Sequence, residues 1–251
     1  MIDFGIIAAG ESSRMRSEGT MIPKPLAEIE GSPMLGRLID IMENCGASSV
    51  SVIVNSEMDE VWNYLQDMVP HSGCELKFVK AKTPSSMHSF YQLLQLMKPI
   101  DKFIVTTVDT VFRREAFRKY VEYFKNSPHG IDGVMGVTQH IDDESPLYVE
   151  TEGRQRITGY KDNPFGGCKY VSAGVYGLHP SAFPVLQGCI DSGMARMRNF
   201  QRALLEQGLN LDFYDLGEVI DVDHTEDIEK ANEMLERHKD CGRQEGTQIF
   251  S

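Results

Sequence analysis

Apolar positions alternate between short runs and helical stripes along the first half of the chain. Phe4 to Ala9 is an apolar run closed by Gly10, the pattern of a fully buried strand. Met34, Leu35, Leu38, Ile39 and Met42 then recur at helical spacing, and Gly46 closes that helix. Ser32-Pro33 ahead of them reads as a capping hydroxyl with proline at the first helical position. A strand over 50–54 follows, then a helix over 57–68 with Met58, Val61, Trp62 and Leu65 on one face. A third strand covers 76–81, and Thr83-Pro84-Ser85-Ser86 is a turn and cap opening a helix to Met97. Residues 103–108 form the strongest strand, which ends at Asp109, and a helix covers 113–125. This alternation predicts βαβ units and a parallel sheet with helices on both faces. Ligands of such sheets collect at the carboxyl ends of the strands, where Gly10 and Asp109 both fall.

The rhythm changes after Gly130. A strand over 133–138 is followed by a hairpin of 147–150 and 156–160, joined through Glu152-Gly153. A strand over 171–178, helices over 181–190 and 195–207, and strands over 211–214 and 219–222 come next. An amphipathic helix over 225–238 closes the pattern, and the polar, Gly-containing stretch 239–251 predicts a disordered tail. No repeat or interdomain linker interrupts residues 1–238, so they are expected to form a single domain with a break in character near 130.

Composition narrows the class. The 251 residues, 41% hydrophobic and 25% charged, can bury a substantial core. The net charge of -12 argues against non-specific binding to nucleic acid or to an anionic membrane. Against that background Arg14, Arg16 and Lys24 are a local concentration of cations. The five cysteines, at 45, 74, 168, 189 and 241, include no C-x-x-C pair, so neither a zinc knuckle nor a disulfide framework is indicated. Without a signal segment or a membrane-spanning apolar run, a cytoplasmic location is expected.

Five places come into question for chemistry. Gly10, Ser12 and Ser13, with Arg14, have the character of a phosphate cradle, against the alternative of a Gly turn before a capped helix. Asp109 sits where a strand delivers a carboxylate to the ligand edge, or is a turn aspartate. Asp221 and Asp223 alternate on a strand and point to one face. Asp109 and Asp223 could supply the two carboxylates that Mg²⁺ takes alongside substrate phosphates, and Asp223 could equally cap the helix near Thr225. Lys161 reads alone as a solvated charge, and His88 as a capping or surface residue.

Together these stretches resemble the nucleotidyltransferases that activate sugar phosphates, of the glucose-1-phosphate thymidylyltransferase type. Ala8-Ala9-Gly10, Ser12-Ser13-Arg14-Met15 and Pro23-Lys24-Pro25-Leu26 match the family's first motif. Asp109 resembles its metal aspartate, Asp223-His224-Thr225-Glu226-Asp227 its second metal position, Gly174-Val175-Tyr176 its Gly-x-Tyr strand and Lys161 the lysine before that strand. Three departures stand out: an extra loop, Glu18 to Ile22; Ser85-Ser86-Met87-His88 where a small-residue segment meets the base; and Tyr160 in place of a sugar-binding Glu.

The resemblance implies a Rossmann-like, mixed, mostly parallel sheet of the nucleotide-diphospho-sugar transferase type. Its nucleotide-binding half would be about 1–130 and its acceptor-binding half 131–238. It implies Mg²⁺-dependent transfer of NMP from an NTP to a phosphorylated acceptor, and a homodimer. Arg14 would stabilise the departing pyrophosphate and Lys24 the α-phosphate. Ala8, Ala9, Gly10, Ser12 and Ser13 would hold the triphosphate, with Asp109 and Asp223 on the metal. Lys161 would anchor the acceptor phosphate, and Gly174 would line the acceptor side. A sugar phosphate is the expected acceptor, with phosphocholine or another alcohol phosphate as the alternative. A catalytically silent nucleotide-sugar sensor is the alternative of a different class. The turn Gly10-Glu11-Ser12-Ser13 lacks the G-x-G-x-x-G of dinucleotide-binding dehydrogenases.

Overall fold

The computed structural model describes residues 2–11, 13–99, 101–141, 145–153 and 155–245. The first half runs β1 (Asp3–Ala8), α1 (Ser13–Ser17), β2 (Glu28–Ile29), β3 (Ser32–Pro33), α2 (Met34–Asn44), β4 (Ser49–Asn55), α3 (Asp59–Met68), β5 (Glu75–Ala81), α4 (Ser86–Met97), β6 (Phe103–Thr107), β7 (Thr110–Val111) and α5 (Arg114–Lys125). The second runs β8 (Gly133–Thr138), β9 (Tyr148–Glu152), β10 (Arg156–Lys161), β11 (Tyr170–Leu178), α6 (Ala182–Asp191), α7 (Met197–Glu206), β12 (Leu211–Asp215), β13 (Ile220–Asp221) and α8 (Thr225–Glu245).

One nine-stranded sheet in the order β5-β4-β1-β6-β11-β8-β12-β10-β9 spans both halves. The expected parallel pairing holds across β5, β4, β1 and β6. Beyond β6 the sheet is mixed: β11 runs antiparallel to β6 and β8, β12 is parallel to β8, and β9–β10 is the predicted hairpin. Alternate residues of one strand feed different cores, as a pleated strand with both faces covered requires. Phe4, Ile6 and Ala8 face the cluster with Leu38, Ile39 and Phe117 of α2 and α5, whereas Ile7 joins Phe90, Leu93 and Phe200 of α4 and α7.

Three local expectations are corrected. Ser32 is not a helix cap: Ser32–Pro33 pairs with Glu28–Ile29 as a tight hairpin. Its two-residue turn, Glu30 at φ 54° and Gly31 at φ 73°, has the doubly positive geometry that matches strand twist. α2 therefore begins at Met34, after Pro33, with no side-chain cap. The strand expected over 219–222 is only Ile220–Asp221, and it pairs with β7 outside the main sheet. α8 continues past Lys239 to Glu245, into the stretch expected to be a disordered tail; residues 246–251 lie outside the described residues.

Candidate active site

Local sequence explains how each charged group is presented. Lys24 lies in a single 3-10 turn, Lys24–Leu26, flanked by Pro23 and Pro25. The two proline rings restrict the backbone, and buried Pro25 anchors the turn. Asp109 lies in the tight connection between β6 and β7, where Thr107 Oγ1 and Thr110 Oγ1 are 2.7 Å apart. β7 pairs with β13 through Val111–Ile220 and Thr110–Asp221, and Val222 N donates to Asp109 O at 3.0 Å. This short ribbon brings Asp223 beside Asp109.

Lys24 Nζ bridges the two carboxylates, 2.7 Å from Asp109 Oδ2 and 2.7 Å from Asp223 Oδ1. Arg14 pairs with the other oxygen of Asp223. Burial pulls the Lys24 pKa down, but the two carboxylates outweigh it and hold the ammonium above its usual range. At Asp109 burial pushes upward, and the Lys24 charge with the Lys24 and Thr107 hydrogen bonds brings the pKa below the usual carboxylate value. Asp223 is not the helix cap: Asp227 Oδ2 accepts from the backbone N–H of Asp223 at 3.1 Å and of His224 at 2.8 Å.

Two lobes, each of about 540 Å³, meet at this cluster and share Arg14, Ser86, Thr107, Asp109 and Asp223. Ala8, Gly10, Ser13, Lys24 and Ser85 line the first. Ala9 is not brought to it: it packs in the core cluster with Ile7 and Phe90, its carbonyl accepting from Asn55 Nδ2 at 3.3 Å, and Ser12 lies outside the described residues. Gly174, Tyr176, Arg196, Gln201 and Asp221 line the second. β11 slips register against β8 between Ser172 and Tyr176, a bulge of the kind that re-aims side chains beside sites. Gly174 sits in it at φ +67°, where an added Cβ would lie 2.6 Å from Thr110 Oγ1. Gly174→Ala is therefore expected to cost about 2 kcal/mol and to displace Thr110 next to Asp109, read as a lowered midpoint in urea.

Lys161 is not brought to either lobe. It pairs with Glu150 at 2.6 Å and lies 5.1 Å over the Phe165 ring. The cations on the second lobe are Arg14, Arg196 and Arg198 instead, and Arg198 is tied to Asp162 at 2.6 Å. Tyr160 is packed in the core with 7% of its surface exposed. His88 Nδ1 is 2.9 Å from Ser85 Oγ, at the start of α4.

Sequence reasoning passed over Gln201. It occupies a position on the apolar stripe of α7 with Met197, Phe200 and Leu204, and a polar residue on such a stripe was the available signal. It also passed over Glu18, in the extra loop, which accepts from Thr225 N at 2.9 Å and Thr225 Oγ1 at 2.8 Å and pairs with His224. The His224 and Thr225 contacts hold the Glu18 pKa at about 2, against 4.5 for a free glutamate. With the folded value depressed, Glu18 stabilises the fold fully above about pH 4.5, and this contribution is lost as pH falls toward about 2. The melting-temperature gap between wild type and Glu18→Gln is expected to be largest near pH 7 and to narrow between pH 4.5 and 3.

A cation bridging two carboxylates lies beside a Gly- and Ser-lined cleft at the strand ends of an α/β sheet, the place where ligands of this class of fold collect. Residues 5–203 match the profile of the MobA-like NTP transferase domain, and the chain belongs to that family. A probable mannose-1-phosphate guanylyltransferase 1 of Oryza sativa subsp. japonica is 24% identical over 183 residues, 70% of this chain and 49% of that protein. Mannose-1-phosphate guanylyltransferase 1 of Arabidopsis thaliana is 25% identical over 191 residues, 72% of this chain and 51% of that protein. The chain thus spans about half the length of these curated relatives. Among solved structures, a putative glucose-1-phosphate thymidylyltransferase from Bacillus anthracis superposes with a TM-score of 0.80 at 18% identity, covering 94% of this chain and 95% of that one. The inositol-1-phosphate CTP transferase from T. maritima superposes at 0.76 and 17% identity with the same coverage.

Proposed function

We propose that this chain is a nucleotidyltransferase that moves NMP from an NTP to a sugar phosphate, releasing pyrophosphate. The observation that carries the reading is the Lys24 bridge between Asp109 and Asp223 at the junction of two lobes. The first lobe would take the triphosphate and the second the acceptor, so the reacting phosphates would meet at the cluster. Residues 1–238 would act as one unit, with nucleotide contacts drawn mainly from 1–130 and acceptor contacts mainly from 131–238.

A phosphate oxygen of the acceptor attacks the α-phosphorus. A new P–O bond forms as the α–β bridging bond breaks, and its electron pair leaves on pyrophosphate. A phosphate monoester is already mostly dianionic near neutral pH, with a second pKa of about 6, so no strong general base is needed. The chemistry asks for neutralisation of charge and in-line placement. Lys24 would meet the charge developing at the α-phosphate, and Arg14 the charge on the leaving pyrophosphate. The backbone from Ala8 to Ser13 would line the phosphates, and Gly174 would leave room for the acceptor. Lys161, paired with Glu150, would have to leave that partner to reach an acceptor phosphate, whereas Arg196 already lines the lobe.

The donor set also fits a magnesium ion. Among the described residues no cluster of three or more His, Cys, Asp and Glu could hold a metal alone. Two carboxylates completed by substrate phosphates are the usual provision for Mg²⁺, and the oxygens of Asp109 and Asp223 already converge on one cation. Asp109 and Asp223 would hold it, and when bound it would supply neutralisation of the phosphate charge.

The net charge of -12 supports a small-molecule enzyme over one acting on nucleic acid. No described helix is long and apolar enough to cross a membrane. The reading includes a cytoplasmic location and the homodimer implied by the family resemblance, the latter checked by sedimentation at micromolar concentration. Pyrophosphate release with Mg²⁺, crossing the common NTPs and dTTP with sugar-1-phosphates and phosphocholine, tests the function. Release that needs one NTP and one acceptor together supports it. Binding of a nucleotide sugar with no release from any pair would establish a silent sensor instead.

A further inference from the structure

We infer that Gln201, held by Ser172, selects the acceptor by presenting its amide N–H group to an oxygen on the skeleton that carries the acceptor phosphate. The inference rests on the transferase reading for what fills the second lobe, and adds to it which residue reads that molecule.

Gln201 is only 2% exposed, yet it lines the lobe. Its Oε1 accepts from Ser172 Oγ at 3.0 Å. Ser172 is itself held, its backbone N–H donating to Leu147 O at 2.9 Å. The contact holds one end of the amide, and among the described residues its Nε2 has no protein partner. The other end of the amide is not a buried unsatisfied atom and opens to the lobe, where an acceptor on a ligand can take the place of water. An amide N–H recognises a hydroxyl or carbonyl oxygen, and offers nothing to a trimethylammonium group. Quaternary ammonium groups are recognised by the faces of Trp, Tyr and Phe, and Tyr176 is the one such side chain among the described residues lining this lobe. The lobe therefore suits an oxygen-bearing skeleton over a choline-like one.

The test compares wild type, Gln201→Leu and Ser172→Ala with a preferred sugar phosphate, its deoxy analogues and phosphocholine, by calorimetric binding and by pyrophosphate release. The expected result is a Gln201→Leu Kd and KM for the sugar phosphate raised about 10–100-fold, with the KM for NTP within twofold of wild type. The preference for the sugar phosphate over one deoxy analogue should collapse in Gln201→Leu and weaken in Ser172→Ala. A general loosening of the lobe would weaken every acceptor alike and leave that preference intact, which would overturn the inference. Unchanged acceptor Kd in both variants, or wild-type preference for phosphocholine, would overturn it as well. Gln201-dependent binding without pyrophosphate release would instead overturn the transferase reading and leave the inference standing. No binding of any acceptor would overturn both. If Gln201→Leu does not fold, the Ser172→Ala preference and the wild-type panel decide.

Discussion

Lys24→Met is expected to lower turnover by about 10²–10³-fold, the usual loss when a preorganised charge is removed from a transition state. It is expected to act on kcat more than on the KM for NTP, because Arg14 and the Gly10 turn remain to bind the triphosphate. The substitution also acts on stability. Lys24 is 11% exposed and contacts two carboxylates that are 25% and 31% exposed, so removing it strands Asp109 and leaves Asp223 to Arg14 alone. Breaking such a pair from one side costs about 3 kcal/mol. Without the ammonium, only the Thr107 and backbone hydrogen bonds oppose burial at Asp109, and its pKa should rise from its depressed value. The sign follows from the directions in the intact site. Asp109 is depressed in the folded state, so its contribution is present above its unfolded pKa and is lost as pH falls through the folded one. Lys24 is raised, so its contribution is present below its unfolded pKa and is lost only in strong alkali. Wild type should therefore lose this increment of stability only in acid or strong alkali, and Lys24→Met should lack it at pH 7. Urea unfolding of both proteins at pH 7 and pH 4 measures the difference.

Asp109→Asn is expected to produce a loss of similar size, about 10²–10³-fold in kcat, with a different signature. The amide keeps the shape and removes the charge, so the Mg²⁺ concentration needed for half-maximal rate should rise. Lys24 should stay paired through Asp223, so the melting temperature should move less than in Lys24→Met. Calorimetric titration of Mn²⁺ in the presence of a non-hydrolysable NTP provides a readout independent of turnover. Unchanged turnover together with an unchanged metal dependence would show that Asp109 is a turn residue and remove it from the proposed metal site. Asp223→Asn should combine the metal effect with release of Arg14, since Asp223 holds both cations.

Much of this architecture is legible in the chain itself. Short apolar runs and helical hydrophobic stripes follow from local burial, so the alternation of β1, β4, β5 and β6 with their helices could be read directly. The same patterns placed Gly10 and Asp109 at the ligand edge, because a strand's direction decides which of its ends carries the loop. Pro23-Lys24-Pro25-Leu26 could be matched to the family's first motif. Pairing partners are decided by contacts far apart in the chain, and there the sequence was silent. The Glu30-Gly31 hairpin withdrew Ser32 from its capping role, and the β7–β13 ribbon set Asp223 beside Asp109. Asp227 and Glu18 took over the capping of α8, leaving the Asp223 carboxylate to Lys24 and Arg14. Lys161 was placed against Glu150, and Gln201 was turned into the second lobe by Ser172 on a bulged strand. Local pattern reports which side chains are buried or presented; only the folded chain decides which of them meet, because each meeting closes a loop of many residues that no local preference encodes.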